Sequence, residues 1–209
     1  MNIRIPLTVL VIALYVIFYI CLEHFKRRAN LESLQTRRLA HIISGLGAVG
    51  LFFLLETSEY VIVLSFFTLF FAFSLRHRIF SSIHLQERKT LGEVVYPMGL
   101  LVALEVAAGD PLIFVGSTLV MSLADPLASY VGGRTKQVGK TNNGSLAFFL
   151  CALIVLGLNY LVFREVAATL VFAKLFVIAG GATLVERVSP YGLDNLTVPA
   201  FLAVTLSLL

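Results

Sequence analysis

The chain has 209 residues, 58% hydrophobic and only 13% charged, with a mean hydropathy of +0.92 and a formal net charge of +4. Soluble domains of this size carry roughly twice that charged fraction. The composition therefore excludes a water-soluble globular domain and points to an all-α, polytopic bundle of transmembrane helices in one domain, 1–209.

Apolar runs predict spans near 3–22, 39–55, 59–75, 93–109, 111–130, 146–163, 167–185 and 195–209. A bilayer core of about 30 Å takes about 20 helical residues, so the last run is short and stands as a tilted span, a re-entrant one or a partly interfacial one. The expected count is seven to eight. The first run is too long for the apolar region of a cleaved leader and lacks a small-residue cleavage site, so it is expected to remain as a span. Cys21 and Cys151 lie far apart inside apolar runs and form neither a disulfide framework nor a metal pattern. No linker, low-complexity tract or clear internal repeat interrupts the chain.

The basic residues alternate between loops. Lys26, Arg27, Arg28, Arg37 and Arg38 follow the first span, and Arg76, Arg78, Arg88 and Lys89 follow the third. Arg134, Lys136 and Lys140 follow the fifth, and Arg187 follows the seventh. Thirteen of the 16 Lys+Arg thus fall on one side, which the positive-inside rule makes cytoplasmic, with the N-terminus outside. This asymmetry accounts for the net charge, so no nucleic-acid partner is expected. Lys174 falls within a span, where it either snorkels or faces the bundle interior.

Four polar clusters share that basic side. The first runs from Arg37 to Gly45 and the second from Glu87 to Pro97. The third is the glycine-rich stretch from Asp125 to Ser145, and the fourth runs from Glu186 to Pro199. Each has a plain explanation and a functional one. Arg37 and Arg38 suit a topology signal. His41 suits a satisfied packing residue, yet ionisable groups within spans are costly and mark function by default. Glu93 suits a helix start, and Asp194-Asn195 suit an N-cap. Asp125 is harder to explain away. It follows an apolar stretch well inside a span, where a carboxylate needs a partner or a metal. Ser129, four residues on, shares its helix face.

Glycines let backbone N–H groups approach an anion, lysines add positive charge and carboxylates hold a metal. The third cluster therefore predicts a phosphate-bearing ligand. Gly139-Lys140-Thr141 is not a P-loop, because five residues, not four, separate Gly133 from Gly139.

Taken in order, these clusters resemble the CTP-dependent prenol kinases, the family of phytol kinase, dolichol kinase and related polyprenol kinases. The residues carrying the resemblance begin with Arg38-x-x-His41-x-x-x-Gly45 and Gly92-x-x-x-Tyr96-Pro97. They continue with Asp125-x-x-Ala128-x-x-x-Gly132 and Lys140-Thr141-x-x-Gly144-Ser145-x-Ala147-Phe148-Phe149, and end with Glu186 and Asp194-Asn195-Leu196-Thr197-Val198-Pro199. The Lys140 block and the Asp194 block are specific. The other pieces are weak alone. Two departures, Arg38 where lysine is common and one acidic residue before Asn195 where two are frequent, suit a different branch and a different alcohol.

The resemblance implies transfer of the γ-phosphate of CTP to the hydroxyl of an isoprenoid alcohol drawn from the bilayer: phytol, geranylgeraniol, dolichol or a polyprenol. The products would be a prenyl phosphate and CDP. It also implies Mg²⁺ held by Asp125 with Glu186 and Asp194. CTP phosphates would lie against Lys140 and the backbone of Gly132, Gly133, Gly139 and Gly144, with Lys136, Thr141 and Ser145 beside them. Asn195 and Thr197 would order metal water or ribose, and His41 or Glu93 would take the hydroxyl proton. A prokaryotic plasma membrane is the expected location, and a homo-oligomer is left open.

More distantly, the Asp125–Gly132 stretch looks like part of the CDP-diacylglycerol synthase signature. That makes a CDP-lipid-forming cytidylyltransferase the first alternative. A small-molecule transporter is a weaker one, since its charged residues would occur at several depths and here only Glu105 and Lys174 leave the common side. A scaffold without catalysis would not need these clusters.

Overall fold

A computed structural model describes residues 4–77, 79–80, 82–83, 90–133, 139–164 and 169–209. Within them the chain forms eight α-helices and no strand: α1 (Ile5–Ala29), α2 (Ser33–Leu54), α3 (Thr57–His77), α4 (Gly92–Ala107), α5 (Pro111–Gly132), α6 (Asn142–Arg164), α7 (Thr169–Val188) and α8 (Asp194–Leu206). Five of these, α1, α2, α3, α5 and α6, are long and apolar enough to cross a membrane. Helix α8 is apolar but has only 13 residues.

Each expected span coincides with a helix, and the differences lie in polar sequence that hydropathy does not register. Helix α1 continues through Lys26, Arg27 and Arg28, where cations complement the C-terminal end of the helix, and stops at Asn30 in the left-handed region, φ 51°. Helix α2 starts at Ser33 because Glu32 and Gln35 form a reciprocal capping box. Arg37, Arg38 and His41 consequently lie inside a regular helix. Helix α6 begins at Asn142, after Thr141, whose Oγ1 accepts from the Gly144 amide at 3.0 Å. Asp110 caps α5 in the same way, accepting from the Leu112 amide at 2.9 Å ahead of Pro111.

Helix α5 is the centre of the bundle. Its apolar window is 72% buried, against 22% for α1, and it packs on α2, α4, α6 and α8. Its own Phe114, Met121 and Ala124 are inaccessible, as are Ala103 of α4, Phe148 and Ala152 of α6 and Leu202 of α8. Two crossings are tight enough to require glycine. A Cβ on Gly45 of α2 would lie 1.7 Å from Ser122 Oγ of α5, and one on Gly99 of α4 would lie 2.1 Å from the Asn195 carbonyl of α8.

The two ends of the bundle differ in chemistry. At one end, fully buried Glu59 accepts from Arg4 through its amide (2.6 Å), Nε (3.0 Å) and guanidinium Nη2 (2.6 Å), and from the Glu56 amide (3.0 Å). Arg164 pairs with Asp110 at the α4–α5 turn. The other end gathers the N-termini of α2, α4, α6 and α8 and the C-termini of α5 and α7. Lys174 and Glu105 lie on exposed faces of α7 and α4, so Lys174 does not face the bundle interior.

Candidate functional site

Three carboxylates from three helices meet at that second end. Asp125 comes from the last third of α5, Glu186 from the last turn of α7 and Asp194 from the first turn of α8. One oxygen of each lies within 4.8 Å of the other two. Glu186 and Asp194 are buried. Asp194 is not the cap of α8: Leu193 holds that place, and Asp194 sits one residue inside, where the helix end favours negative charge. Its position is fixed by the preceding turn. Tyr191 and Gly192 have φ of 54° and 81°. The Tyr191 carbonyl accepts from the Leu91 amide at 2.9 Å, and a Cβ on Gly192 would stand 2.7 Å from the Gly92 nitrogen. The α7–α8 turn is thus docked on the start of α4 through a position only glycine fills.

Lys140 closes the cluster. Its ammonium is 2.7 Å from Glu186 Oε1 and 2.7 Å from Asp194 Oδ2, and it also donates to the Glu186 carbonyl. Burial alone would lower the Lys140 pKa, but Asp194 and Glu186 together outweigh it and hold the group above the ordinary lysine value. The lysine is therefore an ammonium at any neutral pH. Ionising all three carboxylates against this one bonded ammonium would leave excess negative charge, which is costly away from water.

The donor set suits a hard divalent cation. Carboxylate oxygens are the preferred ligands of Mg²⁺. Around an octahedral ion with bonds of about 2.1 Å, ligand oxygens lie roughly 3 Å apart when adjacent and about 4.2 Å when opposite. A set already within 4.8 Å reaches that spacing by small side-chain rotations. Asp125, Glu186 and Asp194 would hold the ion, with Lys140 moving off at least one carboxylate.

Arginines ring the cluster. Arg38 donates from Nε to Ser129 Oγ (3.1 Å) and from Nη2 to the Ser129 carbonyl (2.7 Å), with its guanidinium 5.7 Å from the Tyr130 ring centroid. Arg37 reaches Thr90 Oγ1 (3.3 Å) and lies 3.7 Å from Glu93. Arg187 donates to Asn142 Oδ1 (2.7 Å) and Ser145 Oγ (3.3 Å). Arg187 carries no motif of its own in the sequence. Its only signal there is its place beside Glu186.

The glycine-rich stretch is used differently from the sequence expectation. The Gly133 amide donates to the Ser129 carbonyl and the Gly144 amide to Thr141 Oγ1, so neither points outward to a phosphate. A Cβ on Gly132 would lie 2.9 Å from Thr141 Oγ1, and one on Gly144 would lie 3.0 Å from the Ala128 carbonyl. These two residues let α5 and α6 touch, and Thr141 is a buried cap. Gly139, with φ 101°, has open space around it. Lys136 lies outside the described residues. Thr197 pairs with Ser189 at 2.7 Å and ties the α7–α8 turn.

The remaining expected residues line a cavity between α1, α2, α3, α4 and α8. Arg37, His41, Glu93, Tyr96 and Asn195 form its polar end. Tyr19, Ser44, Phe71 and Tyr96 also line a second, apolar compartment that continues past Ala48 and Phe67 to Leu51, Tyr60 and Leu100. Asn195 donates to the Gly92 carbonyl at 2.8 Å. Since it neighbours Asp194 in sequence, the polar end of the cavity and the carboxylate cluster are adjacent. No family model, curated protein or solved structure matches this chain.

Proposed function

We propose that this protein is an integral membrane kinase that transfers the γ-phosphoryl group of CTP to the hydroxyl of an isoprenoid alcohol, releasing CDP. In this reading the chain crosses the membrane seven or eight times, and the end bearing the carboxylates faces the cytoplasm. One observation carries it: a carboxylate cluster with a bonded lysine adjoins a polar pocket that shares Tyr19, Ser44, Phe71 and Tyr96 with a neighbouring apolar pocket. A phosphoryl donor and a lipid alcohol need those two compartments side by side. CTP as the donor, and an isoprenoid as the acceptor, rest on the family resemblance.

Phosphoryl transfer asks for positioning and charge neutralisation more than covalent help. A Mg²⁺ ion held by Asp125, Glu186 and Asp194 would neutralise charge on the donor's phosphates. Lys140, freed from one of its carboxylates, would present its ammonium to the transferring group. Arg38 and Arg187 border the same place and would add charge. The alcohol's chain would occupy the apolar compartment, with its hydroxyl at the polar end near His41 and Glu93, either of which would take the proton.

The test is turnover by purified protein with Mg²⁺, prenols and CTP labelled in either the α- or the γ-phosphate. The γ-label should appear in a prenyl phosphate. The α-label entering lipid with release of pyrophosphate would favour the cytidylyltransferase, and no transfer of either label would refute the enzyme.

A further inference from the structure

Glu105 of α4 and Lys174 of α7 are opposite charges on exposed helix faces. Each lies in apolar sequence, where a charge turned toward lipid is costly. Among the described residues neither meets an opposite charge or a hydrogen-bond partner. Their depths match. Helix α4 ends, and α7 starts, at the end of the bundle opposite the carboxylates. At 1.5 Å per residue, Glu105 lies about 3 Å along α4 from Ala107, and Lys174 about 8 Å along α7 from Thr169. A lysine's four-carbon stem covers that difference.

Helix α8 runs between the two. Both α4 and α7 pack on it, and they do not touch each other. Gly181 marks the side of α7 turned to α8, since a Cβ there would lie 2.5 Å from the Phe201 ring. Lys174 precedes Gly181 by seven residues, close to two full turns, so it stands on that same side. On α4, Met98, Val102 and Glu105 form one exposed strip; on α7, Leu170, Lys174 and Val177 form another. Both strips step by four and then three residues, the spacing of a helix-packing seam. Helix α8 contributes half-exposed Val204. This face therefore has a negative flank, an apolar middle and a positive flank.

A two-fold axis parallel to the helices and in front of α8 sets α4 of one copy against α7 of the other, and the reverse. Such an axis leaves depth unchanged and closes the contact on itself. Each Glu105 then meets the partner's Lys174, and the pair forms twice. An anionic headgroup would answer Lys174 alone, whereas a second copy answers both charges.

We propose that the α4–α8–α7 face is the interface of a two-fold homodimer within the membrane, held in register by Glu105 of each copy against the partner's Lys174. The proposal rests on the membrane-crossing part of the functional reading and not on the kinase.

The test is energy transfer between fluorophore-labelled copies of the purified full chain, followed through dilution in detergent. Glu105→Lys or Lys174→Glu alone sets like charges face to face and should weaken the dimer at least about tenfold. The two changes together exchange the charges and should restore it. In membranes, with Cys21 and Cys151 changed to alanine, a chain bearing Glu105→Cys should be joined by a short bis-maleimide to one bearing Lys174→Cys. Neither variant should be joined to its own kind, because the axis keeps like positions on opposite flanks.

A monomer at every dilution overturns the proposal. So do single reversals that associate like wild type, an exchange that fails to restore the dimer, or linkage between like positions. Nitroxide-bearing lipid tails should quench a fluorophore on Lys174→Cys in chains made monomeric by Glu105→Lys. An unquenched probe refutes the crossing of α7 and with it a dimer within the membrane. A quenched probe on chains whose wild type never associates upholds the crossing and refutes the dimer. Neither result alters the label-transfer test of the kinase.

Discussion

Replacing Lys140 by methionine separates two roles that the geometry assigns to one side chain. At 2.7 Å and an effective dielectric of about 20, each of its contacts with Glu186 and Asp194 has a gross attraction of about 6 kcal/mol. Desolvation offsets most of that. Removing one partner of a buried pair costs about 3–5 kcal/mol, and the 31% exposure of the lysine side chain places this one near the lower end, at about 3 kcal/mol. The variant then holds two buried carboxylates that have lost their bonded ammonium. A divalent ion becomes the better counter-charge.

Lys140→Met should therefore unfold at lower temperature than wild type in metal-free buffer, recover most of the difference on Mg²⁺ addition, and bind Mg²⁺ more tightly in the absence of nucleotide. Its turnover should fall by roughly 10²–10³-fold, the usual cost of losing one transition-state charge contact. Thermal unfolding with and without Mg²⁺, beside turnover, reads all three. Equal stabilisation of both proteins by Mg²⁺, or full activity in the variant, would refute the reasoning. The pH dependence has a definite sign. A raised pKa keeps the lysine's contribution intact below the ordinary lysine value and removes it only as pH climbs through the higher folded-state value. The lysine's own contribution to metal-free stability should be constant through neutrality and be lost only in strong alkali.

Other substitutions test the frame. Gly99→Ala drives a methyl against the Asn195 carbonyl and should cost about 1–3 kcal/mol while displacing α8 and lowering activity. Gly50→Ala, with nothing within 4 Å, should be neutral or stabilising by up to about 1 kcal/mol, so equal losses in the two would sink the close-crossing argument. Glu59→Gln breaks the Arg4 pair at the far end and should lower the thermal unfolding midpoint, yet leave Mg²⁺ affinity unchanged. Asp125→Asn should weaken Mg²⁺ binding measured by calorimetry without abolishing folding, since it removes negative charge from a crowded cluster.

Much of this was written in the sequence because the membrane makes apolar length legible. All eight apolar runs became helices. Their starts were not legible where polar residues lead in: α2 opens six residues before its apolar run because Glu32 and Gln35 cap it, and hydropathy does not register a reciprocal hydrogen bond. Asp125, Glu186 and Asp194 stood out as carboxylates in or beside apolar sequence, and the fold brings them together. Glycine at 132 and 144 signals a close approach in the sequence without saying what approaches. Here it is the neighbouring helix. The cavity was invisible for a similar reason. Its walls come from helices far apart in sequence, and no local pattern records empty space.

The docked turn between α7 and α8 has a consequence for biosynthesis. Glu186 and Asp194 are synthesised after α5 and Lys140. Until the last hairpin arrives, Asp125 sits in a central helix without the two carboxylates that complete its ring of oxygens. If the three carboxylates hold the proposed Mg²⁺, an early chain should hold it poorly, and ion capture would report whether α7 and α8 have seated on the start of α4.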